Sequence, residues 1–464
     1  MKKSILLWFA VFYTVSIFAD GNLIKIDSLN KLVGLQSGRE RIETLIMLSE
    51  AYRDISLDKS LQTGVEAGKY AADEGFENLK GRILLSMGES ASLSGDFALS
   101  LDYYGKAAEA FAATTAFADL AKAYNNMGLV YKNLAEFDKA IEFLTKASEI
   151  EKAHDLTGPL AGSIGNMATI YFSLGDFNKA MDGYYQARLV YKELKDTLRY
   201  AKMTMNVGLV YWQWDKSDFA LEMLTEAKNL FEEKEDFVEL GRVYNNIGML
   251  YYQDVKDTTK ALEYFEQSLS IRELLGNQLG MAVVLANIGN VYRDRKQLFE
   301  AYERYGKALR ISEAIGYKEG IVRTNYYIAI AHQKNNEFRE SNQYLNTCLT
   351  MATEHGMKNY YQIVNEAKLK NYAALGDYQG FMDEFEVYSA AKDTLSSELN
   401  DLKTKESEAR YKINELIPEL DRLEQENKHQ DQMLLLYRSI LTFVLLTFIV
   451  LGILWILKSR KKAN

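Results

Sequence analysis

The sequence predicts an all-α protein: a solenoid of helix-turn-helix units, followed by a coiled-coil helix and one transmembrane helix. Three observations carry this reading. A short phrase, seen as YNNMGLVY and again as YNNIGMLYY, returns about every 40 residues along most of the chain. Only two prolines, Pro159 and Pro418, occur in 464 residues, so long helices are permitted almost everywhere. Near the C-terminus, residues 439–457 form an apolar run without a charge. The strict alternation of half-buried strands is rare.

The first element is a signal peptide at residues 1–19. Lys2 and Lys3 give a basic start, and residues 5–19 are largely apolar. Ile17 matches the small-residue rule before a cleavage point poorly, so an uncleaved anchor stands as the alternative. No cysteine follows the run, which argues against a lipoprotein signal. Residues 20–40 are assigned to an N-terminal cap segment.

The solenoid is placed at 41–392. Its ladder of small residues is Ser49, Gly88, Gly128, Ala168, Gly208, Gly248, Gly289 and Ala329, at spacings of 39, 40, 40, 40, 40, 41 and 40. A degenerate ninth unit centres on Leu369, with Tyr372 in the tyrosine place. Three residues after the small residue comes Tyr52, Tyr131, Tyr171, Tyr211, Tyr251 or Tyr292. Twelve residues after it comes Ala140, Ala180, Ala220 or Ala301, with Ala261 displaced by one. Four further on stand Leu144, Tyr184, Leu224, Phe265 and Tyr305. Turn-like stretches such as SLGDF and NLAEF separate the halves. Each unit therefore reads as helix, turn, helix. Small residues let two backbones approach, and bulky ones fill the space beside them. No single unit buries its apolar face alone, so about eight to nine stack.

This pattern resembles the tetratricopeptide repeat (TPR): aromatic, Leu-Gly, Tyr, then Ala with an aromatic four residues on. Tyr244, Ile247, Gly248, Tyr251, Ala261 and Phe265 carry the likeness, as do Tyr124, Met127, Gly128, Tyr131, Ala140 and Leu144. The family's common unit is about 34 residues, shorter than these. Its usual closing proline is absent here.

Residues 393–436 are read as a coiled-coil linker. Leu395, Leu399, Leu402, Ala409, Ile413, Leu416, Leu420, Leu423 and Leu434 fall on alternating three- and four-residue steps. Asn427 sits on that seam and favours two strands, while Glu406 and Gln430 weaken it. Pro418 predicts a kink. The expectation is a parallel homodimer, and the alternative is a single helix packed back on the last repeat. Residues 437–457 form the transmembrane helix, with Tyr437 and Trp455 near its ends. Residues 458–464 form a basic cytoplasmic tail with Lys458, Arg460, Lys461 and Lys462. The positive-inside rule then places the repeats outside the cytoplasm, in the periplasm, on a single-pass protein of a bacterial inner membrane. The order of elements is similar to the sensory half of bacterial TPR-containing histidine kinases and regulators, without an output domain.

A net charge of −9 argues against general nucleic-acid binding. Phosphate-cradling motifs are missing. His154, His332, His355 and His429 do not pair at metal-ligand spacing, and the lone Cys348 has no sequence partner. His332 takes the repeat tyrosine's place and reads as a packing substitution. No enzyme activity and no cofactor are expected.

One feature goes beyond core packing. Asn126, Asn166, Asn206, Asn246 and Asn287 stand two residues before the small residue. Lys122, Lys202 and Arg242 stand one turn earlier on the same face. In TPR proteins that face lines the concave groove. Asparagine both donates to and accepts from a peptide backbone, and a neighbouring cation suits a carboxylate. The sequence is equally consistent with asparagines that bond the adjacent repeat. The functional expectation is a membrane-anchored module, a sensor or adaptor in signal transduction, that captures a peptide or protein segment. The alternative is a structural scaffold of a cell-envelope complex.

Overall fold

A computed structural model describes residues 25–53 and 56–389. The expectations for the signal peptide, the coiled coil, the transmembrane run and the basic tail lie outside these residues. Among the described residues there are nineteen α-helices and no strand. No described helix is long and apolar enough to cross a membrane.

In chain order the helices are α1 (25–35), α2 (Gly38–Tyr52), α3 (Leu57–Asp73), α4 (Lys80–Leu93), α5 (Phe97–Ala112), α6 (Phe117–Asn133) and α7 (Phe137–Ala153). Next come α8 (Thr157–Ser173), α9 (Phe177–Glu193), α10 (Thr197–Gln213), α11 (Ser217–Glu233), α12 (Phe237–Leu250) and α13 (Thr258–Leu274). The last are α14 (Gln278–Asp294), α15 (Leu298–Ala314), α16 (Lys318–Lys334), α17 (Phe338–Glu354), α18 (Asn359–Leu375) and α19 (378–389). Even-numbered helices from α2 onward open a unit and odd-numbered helices close it.

The 40-residue period has a simple origin. From α6 to α11 every helix has 17 residues and every turn has three, so the backbone repeats every 20. Each turn carries one left-handed residue, for example Ala135 (φ 58°), Asp155 (φ 55°), Gly175 (φ 78°) and Lys195 (φ 57°). The turn after α6 shows why. Glu136 N–H donates to Tyr131 C=O at 2.9 Å and Ala135 N–H to Lys132 C=O at 3.0 Å, which satisfies carbonyls the helix end leaves open. Asp96, Asp176, Asp196 and Asp236 then cap the next helix, each accepting from a backbone N–H three residues on.

The 41-residue spacing between Gly248 and Gly289 is explained as well. After α12 the chain makes a π-helical turn at Tyr251–Val255 and leaves through Lys256 in the left-handed region. The wider turn absorbs one extra residue, and this displaces Ala261.

The small-residue ladder is the seam inside each unit. A Cβ at Gly88 would lie 2.6 Å from the Tyr104 ring, at Gly248 2.7 Å from Phe265, and at Gly289 2.5 Å from Tyr305. Where the ladder has Ala168, the partner helix yields instead: a Cβ at Gly183 would lie 2.8 Å from the Ala168 methyl. Ala140, Ala180, Ala220, Ala261 and Ala301 are fully buried, as are Leu144, Leu224, Phe265 and Tyr305. The tyrosine ladder is half-buried rather than core. Tyr131 stacks on Phe143 and Tyr251 on Tyr264, and each ring has a lysine over it, Lys139 and Lys260. His332 continues that ladder, stacked on Tyr344 and bonded to Glu337 at 2.6 Å. Cys348 is buried, and burial pushes its thiol up to about 12.

Most successive even-numbered helices touch one another directly, while odd-numbered helices pack chiefly against the even-numbered helices before and after them. The even-numbered helices therefore line the inner side of the stack.

Candidate functional site: the inner face of the solenoid

The asparagine ladder does not play one role. Asn166 on α8 donates to Asn125 Oδ1 on α6 at 2.9 Å, and Asn287 on α14 donates to Asn245 Oδ1 on α12 at 3.0 Å. Asn126 on α6 reaches Glu89 Oε1 on α4 at 3.5 Å. These three tie their unit to the one before. Asn206 on α10 and Asn246 on α12 are half-buried, and their side chains make no hydrogen bond among the described residues.

The difference has a local cause. The acceptors Asn125 and Asn245 stand 41 and 42 residues before Asn166 and Asn287. The corresponding positions for Asn206 and Asn246 are Gly165 and Met205. Glycine has no side chain and the methionine thioether is only a weak acceptor, so neither position offers an amide oxygen. Asn206 and Asn246 thus keep their donor and acceptor capacity, one turn beyond Lys202 and Arg242.

The cations divide as well. Lys122 pairs with Glu89 at 2.8 Å, and Glu89 also holds Arg53 at 2.7 Å. Lys202 and Arg242 share Glu239, each at 3.4 Å, and Glu239 is only 13% exposed. At the next station Asp294 binds Lys334 at 2.6 Å and Arg293 at 3.0 Å, and accepts from the Tyr252 hydroxyl. Arg293 and the donated hydrogen bonds outweigh burial and hold the Asp294 carboxyl down at about 2. Carboxylates bridging neighbouring units are therefore a second ladder on the inner face, which the spacing of Glu89 and Glu239 relative to the glycines does not reveal.

Sequence reasoning also passed over Lys132, at the last turn of α6. It lies seven residues beyond Asn125, hence on the same helix face. Its ammonium has no ion pair among the described residues. Burial, together with the like charges of Lys202 and Arg242, holds it below the usual lysine range.

The described residues hold no group of three or more His, Cys, Asp or Glu side chains arranged to bind a metal ion.

Comparison with known proteins agrees with this architecture. One tetratricopeptide-repeat model matches residues 160–233 and 280–354, and a second matches 121–154 and 241–273. No curated protein matches the sequence significantly. Among solved structures, a Rap protein complexed with competence and sporulation factor superposes with a TM-score of 0.55 at 14% identity, covering 82% of this chain and 99% of that one. Aspartyl phosphate phosphatase F from Bacillus subtilis gives 0.50 at 15% identity, covering 77% and 95%. A signal-transduction ATPase with a tetratricopeptide repeat sensor from Pyrococcus horikoshii gives 0.53 at 14% identity, covering 77% of this chain and 55% of that one. At these identities the likeness is one of fold.

Proposed function

We propose that this chain, a tetratricopeptide-repeat protein, is a binding module that captures an extended peptide or protein segment along its inner face and has no catalytic activity of its own. The observation that carries the reading is the pair of unpaired asparagines, Asn206 and Asn246, between positions where the same residue is used up in ties between units. A buried or half-buried amide without a partner costs stability, so its retention on an inner face suits a guest backbone that completes its bonds. A structurally similar Rap protein was solved with a factor bound, which is compatible with such use of the fold.

The same reading places the module outside the cytoplasm of a bacterial cell, anchored by residues 437–457, as a sensor or adaptor. Its support is the charge asymmetry around that run. A reporter fused after Asn464 should be cytoplasmic and one inserted at the turn before Lys318 extracytoplasmic. The opposite pattern removes the anchoring reading but leaves the groove intact.

The scaffold reading keeps one observation in its favour. Asn126, Asn166 and Asn287 serve cohesion rather than capture. Photo-crosslinking separates the two. A crosslinker at position 206 or 246 should trap a defined partner in native membranes, and one at the exposed Glu222 of α11 should not. Trapping at position 222 alone assigns the outer face and the scaffold role.

A further inference from the structure

We propose that the aromatic stripe of α19, made by Tyr378, Phe381, Phe385 and Tyr388, docks against the same stripe on a second copy of this chain, with the two helices parallel. The proposal does not depend on the groove reading. It moves the start of the expected pairing seam from residue 393 back onto the last described helix.

Helix α19 inverts the usual arrangement of a solenoid helix. Its buried residue is the charged Glu384, 6% exposed, whereas Tyr378 is 80% exposed and Phe385 46%. Phe381 and Tyr388 are half-buried beside them. The Phe381 and Phe385 rings stack, with centroids 6.3 Å apart and planes within 9°.

A polar contact holds this helix to α18. Lys368 and Glu384 are both buried and pair at 2.5 Å. Lys368 stands at the register where earlier units place Met127, Met167, Val207, Ile247, Ile288 and Ile328. An apolar position has thus become a cation whose ion pair is with α19. Separating such a pair strands a buried charge, so it sets how α19 is rotated about its axis. Gly380 lies one turn before Glu384, and a Cβ there would lie 2.8 Å from the Tyr372 ring. Glycine lets α19 approach α18 closely on that side. With Gly380 and Glu384 turned toward α18, Tyr378 and Phe385 are left facing outward.

The stripe keeps step with the seam read in the sequence beyond it. Tyr378, Phe381, Phe385 and Tyr388 follow steps of three, four and three. The same alternation then reaches Lys392, Leu395, Leu399 and Leu402. Tyr378 and Leu434 lie 56 residues apart, which is eight heptads with no insertion. From residue 390 onward the chain lies outside the described residues, and the match there is one of sequence. A straight helix drifts about 20° per heptad from a seven-residue repeat, so eight heptads would carry the stripe about 160° around it. A strict repeat of this length suits helices that supercoil around one another. The partner that shares the phase residue by residue is a second copy. Asn427 holds the same heptad place as Tyr378, Phe385, Leu399 and Ile413, where a buried asparagine favours two strands.

Symmetry supplies the test. In a parallel pair each seam residue lies near its own counterpart across the twofold axis. Phe385→Cys in the full chain, expressed in cells and oxidised with copper phenanthroline, should link into a dimer, as should Tyr378→Cys. Asp383→Cys, exposed on another face of α19, should give at most about a tenth of that yield. Native Cys348 can stay in place, since it is buried and its thiol is pushed up to about 12. In sedimentation of the full chain in mild detergent, Phe385→Asp should weaken self-association at least tenfold. Val387→Asp, 53% exposed but out of phase, should leave it within about twofold. Neither should lower the melting temperature, whereas Glu384→Ala, which strands Lys368, should. Equal linking at 383 and 385, no linking at 378 and 385, or unchanged self-association of Phe385→Asp overturns the interface. Phe385→Asp that melts as early as Glu384→Ala means that this chain itself covers the stripe. A link to a chain of another mass assigns the stripe to a different partner. Either result overturns the proposal as well.

Discussion

Helices α8 and α10 carry the same asparagine and tyrosine at the same places in the repeat, and their asparagines have opposite duties. In α8, Asn166 is bonded to Asn125 of the preceding unit; in α10, Asn206 has Gly165 at the corresponding position and makes no hydrogen bond among the described residues. The pair α14 and α12 repeats the contrast, with Asn287 bonded to Asn245 while Asn246 has Met205 at the corresponding position and makes no hydrogen bond among the described residues. A recurring residue in a solenoid is thus not a recurring role. Among Asn166, Asn206, Asn246 and Asn287, an amide about 41 residues earlier separates the ties between units from the open donors and acceptors, while Asn126 makes its tie to Glu89 instead.

The largest effect comes from attacking the seam that both kinds of unit share. Gly248→Leu would drive a side chain into the Phe265 ring, which a Cβ already approaches at 2.7 Å. Overpacking of this kind costs roughly 3 kcal/mol. Thermal unfolding should show an early transition, and unchanged melting would mean that α12 and α13 can separate freely.

The ties come next. Asn166→Ala or Asn287→Ala removes a bond between units, leaving the Asn125 oxygen only the 3.5 Å contact of the Ser163 hydroxyl and the Asn245 oxygen without its amide donor, at a cost of about 1–2 kcal/mol by chemical denaturation. Asn206→Ala and Asn246→Ala should stay within about 0.5 kcal/mol. Equal losses at all four positions would erase the distinction between the two regions.

The second helices hold a comparable contrast. Glu151 on α7 occupies the register that Tyr191 fills on α9 and Phe231 on α11, and it is buried with one carboxylate oxygen unbonded. Burial raises its pKa. Below the ordinary glutamate value of about 4.3, folded and unfolded chains both hold the proton, and Glu151→Gln should match the parent. As pH rises through that value toward the raised one, the parent should lose stability relative to the variant. The gap should then hold through neutral pH. A gap that opens toward acid would contradict an unpaired buried carboxyl.

The smallest expected effect compares turns. Ala135 holds the left-handed conformation that Gly175 holds one unit later, at φ 58° and 78°. Ala135→Gly should stabilise by about 0.5–1 kcal/mol, because a Cβ in that region is strained. No change in midpoint would mean that the turn tolerates a side chain without cost.

Much of the fold was legible because it rests on short spacings. The glycine ladder, the fully buried alanines at Ala140 through Ala301 and the bulky residues four beyond them are all local consequences of helix-turn-helix packing. The 41-residue spacing was legible as an irregularity, although not as a π-turn, since the π-turn depends on how the backbone accommodates one residue. The site was half legible. The positions of Asn206, Asn246, Lys202 and Arg242 were read from spacing. The ties at Asn166 and Asn287, the bridging carboxylates Glu89 and Glu239, and the inward Lys132 depend on which residues face each other across units. The period alone does not encode this. Only the polar residue about 41 positions before Asn166 and Asn287 could have signalled the ties.

The most direct test measures capture of the crosslinked partner by two double variants. Asn206→Ala with Asn246→Ala should weaken capture at least tenfold, about 1.4 kcal/mol, without lowering the melting temperature. Asn166→Ala with Asn287→Ala should lower the melting temperature while folded protein captures the partner within about twofold of the parent. If the first pair leaves capture unchanged, or if both pairs lose stability and binding alike, the open asparagines do not receive a guest and the account is wrong.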